Sequence, residues 1–215
     1  MPISEAPHET PAEAHGVLRI GVFGGTFDPI HAGHLVAAVN VRHDLDLDLV
    51  LLVVANEPWQ KLGARRVSPA ADRLALAEAA VEGLDGVEAS SIEIDRGGIS
   101  YTADTISELQ VRYRSAELYL VVGADVAAQL DTWSRVDVLR RRVRLVVVNR
   151  PGAGALREGS SKLAGWAVSS IEIPALEISS TDLRHRASTG RPLDFLVPAP
   201  AIRVLYERRL YGGSR

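Results

Sequence analysis

The stretch "RIGVFGGTFDPIHAGHLVAA", residues Arg19 to Ala38, runs from an apolar segment through two glycines and a Thr-Phe-Asp-Pro turn to two histidines three positions apart. An apolar run that breaks at glycines and resumes with helical spacing is a strand feeding a helix. Val17–Phe23 is therefore read as the first strand and Gly24–His31 as the turn after it. In open α/β sheets, ligands bind outside the carboxyl ends of the strands. Gly24 and Gly25 allow close backbone approach or a positive φ, and the first amides of the next helix offer unpaired donors at the positive end of its dipole. Such a corner attracts phosphate. The dinucleotide fingerprint G-x-G-x-x-G does not fit glycines at 21, 24 and 25, and no G-K-S/T follows, so neither that motif nor a P-loop is present.

Working outward, apolar runs recur at Val17–Phe23, Asp48–Asn56, Val87–Asp95, Glu117–Gly123, Arg144–Asn149 and Ala167–Ile173, separated by helix-like or loop-like segments. This alternation predicts an α/β fold with a doubly wound parallel sheet. Runs such as "LVLLVVA" and "LYLVVGA" are apolar at consecutive positions, as strands covered on both faces must be. Helices are expected at Leu35–Leu45, after Ser68 as N-cap with Pro69 in the first turn, at Thr102–Val111, and as a C-terminal extension over Pro198–Leu210. The Gly- and Ser-rich stretch Arg150–Leu163 is the expected mobile loop.

The chain has 215 residues, 47% hydrophobic, enough for one sizeable core. A single domain is expected over residues 17–212, preceded by a flexible tail over 1–16 that lacks the apolar core of a signal peptide. A formal net charge of −3 gives no broad basic surface, so a nucleic-acid partner is not expected. The run Leu49–Ala55 is far too short to span a membrane. Cysteine is absent, which excludes disulfides and thiolate metal sites and points to a reducing, cytoplasmic compartment.

His31 and His34 lie three apart at a helix start, so their rings can face the same side. Zinc would need a third ligand, yet His8, His15, His43 and His185 lie in the tail or on distant segments. A capping role for one ring stays open. The preferred reading is a pair of donors that stabilise phosphate charge. A second corner is predicted at "ISSTDLR", Ile178–Arg184, where three hydroxyls and a guanidinium converge on a helix start; an ordinary N-cap accounts for one hydroxyl only.

These two motifs resemble the (T/H)-x-G-H and I-S-S-T-x-x-R signatures of the nucleotidyltransferase superfamily. Three further segments, "PWQK" (Pro58–Lys61), "GGISYTADT" (Gly97–Thr105) and "GADVAAQLDTW" (Gly123–Trp133), together with the ending "DFLVPAPAIRVLYERRLYG", are most similar to the bacterial nicotinate-nucleotide adenylyltransferases. The similarity spans roughly Leu18 to Gly212. It implies a Rossmann-like fold and transfer of the adenylyl group of ATP to nicotinate mononucleotide, with Mg²⁺ carried mainly by the ATP phosphates and no protein metal ligand. His31, His34, Lys61 and Arg184 are the implied catalytic residues. Gly24, Gly25, Thr26, Phe27, His34, Gly123, Asp125, Arg150, Ser179, Ser180, Thr181 and Arg184 would meet ATP. Tyr101, Thr102, Thr105 and Trp133 would meet the mononucleotide, Trp133 as a flat face for the ring. Gln60 stands where the family often has a histidine. A sister enzyme acting on phosphopantetheine or a cytidylyl acceptor shares both phosphate motifs, and a silent nucleotide-binding regulator would keep the fold. The resemblance leaves a homo-oligomer open.

Overall fold

The computed structural model describes residues 16–58, 67–150 and 159–212. In chain order they form β1 (Arg19–Gly25), α1 (Ala32–Asp44), β2 (Leu49–Val54), β3 (Glu57–Pro58), α2 (Ala70–Val81), β4 (Val87–Ser90), α3 (Ile92–Arg96), β5 (Ile99–Ser100), α4 (Thr102–Arg112), β6 (Glu117–Gly123), α5 (Ala124–Ala127), α6 (Val136–Arg142), β7 (Arg144–Asn149), β8 (Val168–Glu172), α7 (Ser180–Ser188) and α8 (Ala199–Glu207). Six strands make one parallel sheet in the order β4-β2-β1-β6-β7-β8, and β3 pairs with β5 in a small parallel ribbon. The chain winds outward from β1 in one direction through β2 and β4, then in the other through β6, β7 and β8. The doubly wound expectation holds, and β1 and β6 flank the point where the winding reverses.

The consecutive apolar residues of the strands divide between two cores. Val50, Leu52 and Val54 of β2 face the core shared with α1, α2, α7 and α8, whereas Leu51 and Val53 face the one shared with α4, α5 and α6. Tyr119 and Val121 of β6 join the first; Leu118, Leu120 and Val122 join the second. Both faces are covered, so neither can be polar and the alternation of a one-sided sheet is suppressed.

Several boundaries differ from expectation for local reasons. β1 continues through Gly24 and Gly25, which pair with Val53 and Val54, so both glycines are strand residues without positive φ; the left-handed residue of the turn is Phe27, at φ +48°. The third long strand stops at Ser90. "IEID" looks like alternation, but the Ser91 carbonyl accepts the Asp95 amide and the Ser91 hydroxyl bonds the Asp95 carboxylate, winding the segment into α3. Ser68 is not the cap of α2. Pro69 holds that position in an extended conformation, and the Ser68 carbonyl instead accepts from Arg73. Thr102 is the first residue of α4, as expected, with Tyr101 at its N-cap. The tail expected over 1–16 lies outside the described residues except for Gly16, as does 151–158 of the expected loop. Ser161–Leu163 of that loop form a 3₁₀ turn whose Leu163 is buried in the second core.

Candidate active site

A cavity of about 470 Å³ opens where the winding reverses. Val22–Thr26 of β1 and its exit form one side, Leu120–Gly123 of β6 with Asp125 and Val126 the other. His34 stands at one end; Glu93, Ser100, Thr102, Thr105 and Trp133 line the far wall. The volume lies within the range of small-ligand sites.

Gly24 and Gly25 differ in purpose. A Cβ on Gly24 would point into open space, so bare backbone faces the cavity there. A Cβ on Gly25 would stand 2.6 Å from the Phe27 ring, so a side chain is excluded by the turn itself. Phe27 is buried, with its ring edge-to-face against Phe23 and His34 at centroid distances of 6.1 and 5.0 Å. It supports His34 from below.

His31 is the N-cap residue of α1, extended at φ −153°. Its amide donates to Nδ1 of His34 at 3.2 Å, which leaves the His34 proton on Nε2. The two imidazoles stack at 3.7 Å. His31 is buried, and burial, reinforced by the charge of Arg150, lowers its pKa to about 4. It is neutral at neutral pH and stands behind His34, away from the cavity lining. The open row of helix amides expected at this corner is also reduced. Ala32 donates to the Leu196 carbonyl at 2.9 Å and His34 to the His31 carbonyl at 2.9 Å, so among the first-turn amides only that of Gly33 has no partner within the described residues.

Residues distant in sequence clamp the turn. Arg184 donates to the Asp28 carbonyl at 2.7 Å and to the Thr181 hydroxyl at 3.0 Å, and Ser180 donates to the Pro29 carbonyl at 2.9 Å. Ser179 caps α7 by accepting the Asp182 amide at 3.1 Å. The three hydroxyls thus have three separate structural partners. On the other side Arg73, only 1% exposed, donates to the carbonyls of Ser68 (2.9 Å), Thr26 (2.8 Å) and Asn56 (2.9 Å). Tyr211 donates to the buried Asp28 carboxylate at 2.7 Å; burial and that negative charge push its pKa up.

The far wall joins a long-range contact, the Asn56 amide on the Ser100 hydroxyl at 2.9 Å, to contacts made within residues 93–105. Thr105 donates to Glu93 at 2.6 Å and accepts from Arg96 at 3.0 Å, while Arg96 also reaches Glu108 at 2.9 Å. The Trp133 indole nitrogen is buried without a hydrogen-bond partner. Among the described residues no group of three or more His, Asp or Glu could hold a metal ion.

Of the residues singled out from sequence, the structure gathers Gly24, Gly25, Thr26, His34, Thr102, Thr105, Gly123, Asp125 and Trp133 around one cavity. Phe27 and His31 lie beneath it. Ser180 and Arg184 brace the turn at its edge, Ser179 and Thr181 order the helix start beside them, and Arg150 ends β7 near enough to His31 to depress its pKa. Tyr101 stays off the lining as the cap of α4. Lys61, with Trp59 and Gln60, lies outside the described residues. Sequence reading missed Arg73, Glu93, Asp28 and Tyr211. Arg73 did leave a signal, because it occupies the same helical face as Leu76, Ala77 and Ala80, where a charge needs a reason.

The winding and the crevice at its reversal define a doubly wound α/β protein with its ligand site at the carboxyl ends of the strands. Residues 22–186 match the family model described as cytidylyltransferase-like. Proteins named probable nicotinate-nucleotide adenylyltransferase are 44% identical in Saccharopolyspora erythraea (91% of each chain) and 42% in Corynebacterium glutamicum (90% of this chain, 88% of that one). The fold is shared with nicotinic acid mononucleotide adenylyltransferase of Plasmodium falciparum, solved complexed with NaAD: TM-score 0.75 and 17% identity over 91% of this chain and 98% of that one. The chain belongs to the cytidylyltransferase-like family and, within it, to the nicotinate-nucleotide adenylyltransferases.

Proposed function

We propose that this protein transfers the adenylyl group of ATP to the phosphate of nicotinate mononucleotide, giving nicotinate adenine dinucleotide and pyrophosphate. The observation that carries the reading is the single cavity that joins the His34 corner to a wall bearing Thr102, Thr105 and Trp133. Relatives bearing that enzyme name, alignable over nine-tenths of the chain, support it.

The mononucleotide phosphate is ionised near neutral pH and attacks the α-phosphorus of ATP directly. A P–O bond forms to that oxygen, the bond to the bridging oxygen breaks, and pyrophosphate leaves with the electron pair. No general base is needed, so catalysis consists of alignment and charge stabilisation. His34 donates from Nε2 to the phosphates; neutral His31 holds its tautomer and orientation through the backbone and the stacked ring. Arg184 keeps a cationic charge beside the turn, and Lys61, outside the described residues, is the second cation that the family resemblance assigns to the triphosphate. Bare backbone at Gly24, beside Gly25 and Thr26 in the cavity lining, admits the phosphates; Gly123, Asp125, Arg150 and the Ser179–Thr181 corner hold the nucleoside and phosphate ends. Tyr101, Thr102, Thr105 and Trp133 receive the mononucleotide. The described residues offer no resident magnesium cage, and the one carboxylate in the turn, Asp28, is engaged by Tyr211. Mg²⁺ would ride on the ATP phosphates, as this ion commonly does, with few protein ligands. A cytoplasmic setting accords with the absence of cysteine. Among the described residues no helix is long and apolar enough to cross a membrane.

The test is pyrophosphate release from ATP and Mg²⁺ with nicotinate mononucleotide, nicotinamide mononucleotide and phosphopantetheine offered in parallel. Fastest turnover with nicotinate mononucleotide is expected; preference for phosphopantetheine, or no turnover with any acceptor, overturns the reading.

A further inference from the structure

The Trp133 ring lines the cavity, yet its indole nitrogen is buried without a hydrogen-bond partner among the described residues. Its place is set by its neighbours in the chain. On one side Asp131, in the 3₁₀ turn Leu130–Thr132, accepts from Arg140 at 2.6 Å, while Arg140 also donates to Asp137 at 3.0 Å and lies over the Trp166 ring at 5.7 Å. On the other side, two residues beyond the ring, Arg135 Nη2 meets the Asp104 carboxylate at 2.7 Å. Asp104 stands in the first turn of α4, between Thr102 and Thr105. This second pair therefore crosses from the segment that carries Trp133 to the helix that carries both threonines, the two parts of the wall that face the cavity.

Arg135 is the N-cap residue of α6, at φ +56° and ψ +39°. In that left-handed region a long side chain crowds its own carbonyl and glycine fits freely, so the turn alone would be served better by glycine. Hydrogen bonding from Arg135 holds the Asp104 carboxyl below its ordinary pKa, and both groups are charged near neutral pH. The pair is half-exposed, so it adds little to overall stability. What it fixes is a spacing.

On the reading of this wall as the mononucleotide site, we propose that Arg135 and Asp104 are positioning residues: their ion pair clamps the Trp133 segment to the start of α4 and sets the gap between the indole face and Thr102 and Thr105. Neither side chain lines the cavity. The clamp therefore acts on binding of the mononucleotide and leaves turnover at saturation unchanged.

Steady-state kinetics of Arg135→Gly, with each substrate varied, tests it. Glycine relieves the crowding but gains entropy in the unfolded chain, two effects that roughly offset, so the unfolding midpoint should stay near that of the wild type. KM for nicotinate mononucleotide should rise about three- to fivefold, the scale of a half-exposed ion pair, with kcat and KM for ATP nearly unchanged. Arg135→Lys should recover most of the loss. Arg135→Asp opposes two carboxylates and should raise KM on the order of tenfold, and adding Asp104→Arg should bring KM below that of either single variant. An unchanged KM for the mononucleotide in Arg135→Gly, an equal rise in KM for ATP, or a double reversal no better than its parents overturns the proposal. A second readout needs no substrate. In a Trp59→Phe background, with Trp166 only 9% exposed, acrylamide quenching reports chiefly on Trp133. Arg135→Gly should raise the quenching constant on the order of twofold as the segment loosens. A wild type that does not use nicotinate mononucleotide, together with increased quenching in the variant, defeats the proposed reaction and supports the clamp; unchanged quenching defeats the clamp whatever the acceptor.

Discussion

The two ends of the cavity are built on different plans. At the β1–α1 turn nearly every brace comes from far along the chain: Arg73 on Thr26, Arg184 on Asp28, Ser180 on Pro29, Tyr211 on Asp28 and Leu196 on Ala32, at separations of 47 to 183 residues. At the far wall the longest tie is that of Ser100, which accepts the Asn56 amide across 44 residues; Thr105, Glu93 and Arg96 bond one another within 12 residues, and Trp133 leaves its indole N–H unpaired. A group that must meet transferring charge gains from being fixed before substrate arrives, because reorganisation during the reaction would add to the barrier. A group that recognises a ring can adapt. The first plan makes the turn depend on the whole fold; the second leaves the wall able to change without disturbing it.

The contrast is most exposed at Arg73. Arg73→Met removes one side chain but leaves three part-buried carbonyls without their donor, so a loss of about 3–5 kcal/mol in unfolding free energy is expected. Arg73→Lys should recover only part, since an ammonium cannot span three segments as a planar fork does. Urea unfolding measures both. A change below about 1 kcal/mol for the methionine variant would mean that the turn is held locally after all.

His34→Ala should lower kcat by two to three orders of magnitude, about 2.7–4 kcal/mol, the range for one preorganised donor, with a smaller effect on KM for either substrate. His34→Gln keeps a donor and should lose less. Near-normal turnover in the alanine variant would remove His34 from the chemistry.

Behind it, His31 makes the turn sensitive to acid. Its folded pKa of about 4 lies below the ordinary histidine value of 6.5, so between these values the unfolded chain binds the proton and the folded one does not. The contribution is complete above pH 6.5 and is lost as pH falls toward 4, amounting to about 3 kcal/mol. The comparison is with His31→Gln, which carries every other titration but not this one. The unfolding free energy of the wild type should fall relative to that of the variant as the pH drops through that window; parallel curves would show that His31 is protonated without penalty.

How far this was legible in the sequence follows the same division. β6 and β7 were bounded correctly because doubly covered strands announce themselves as unbroken apolar runs. The histidines, "ISSTDLR" and Trp133 were found because their types and spacing are local properties. What linked them was not. Nothing near Arg73 names the Thr26 or Asn56 carbonyl as its partner, and only the folded sheet brings β1 and α2 together. Phe27 reads as a ligand contact from its place in the motif, yet the short distance between its ring and Gly25 is a property of a left-handed turn that spacing does not reveal. Residue type alone marks Ser68 as a cap, while Pro69 at α2 and Tyr101 at α4, neither a good capping residue, hold the N-cap positions in extended conformations.

At the adaptable wall, Trp133→Ala should raise KM for nicotinate mononucleotide about ten- to a hundredfold, from loss of roughly 1–3 kcal/mol of stacking. KM for ATP should change little. The ratio between acid and amide mononucleotides should also hold, since discrimination depends on donors aimed at the carboxylate rather than on the ring face. The tryptophan is half-buried at the margin of the second core, so the unfolding midpoint should fall only modestly. A large stability loss, or an equal rise in KM for ATP, would assign Trp133 to the same rigid framework as the turn and erase the contrast between the two ends.

The smallest effect separates structure from contact at Ser179. Its hydroxyl accepts the Asp182 amide at 3.1 Å, so Ser179→Ala should cost about 1 kcal/mol of stability as a lost N-cap. Reduced stability alone would not distinguish a cap from a residue that also faces the triphosphate. Ser179→Asp does. Aspartate caps a helix as well as serine and its charge suits the helix N-terminus, so stability should return to within a few tenths of a kcal/mol of the wild type. The same charge repels a triphosphate, and at an effective dielectric near 20 two unit charges 7 Å apart interact by about 2 kcal/mol. If Ser179 stands at the phosphate corner, KM for ATP in the aspartate variant should rise on the order of tenfold and fall back partly with added salt, while KM for the mononucleotide changes less. If KM for ATP is unchanged in a fully stable aspartate variant, Ser179 is a cap alone, and the triphosphate lies nearer His34 and the β1 exit than the α7 corner.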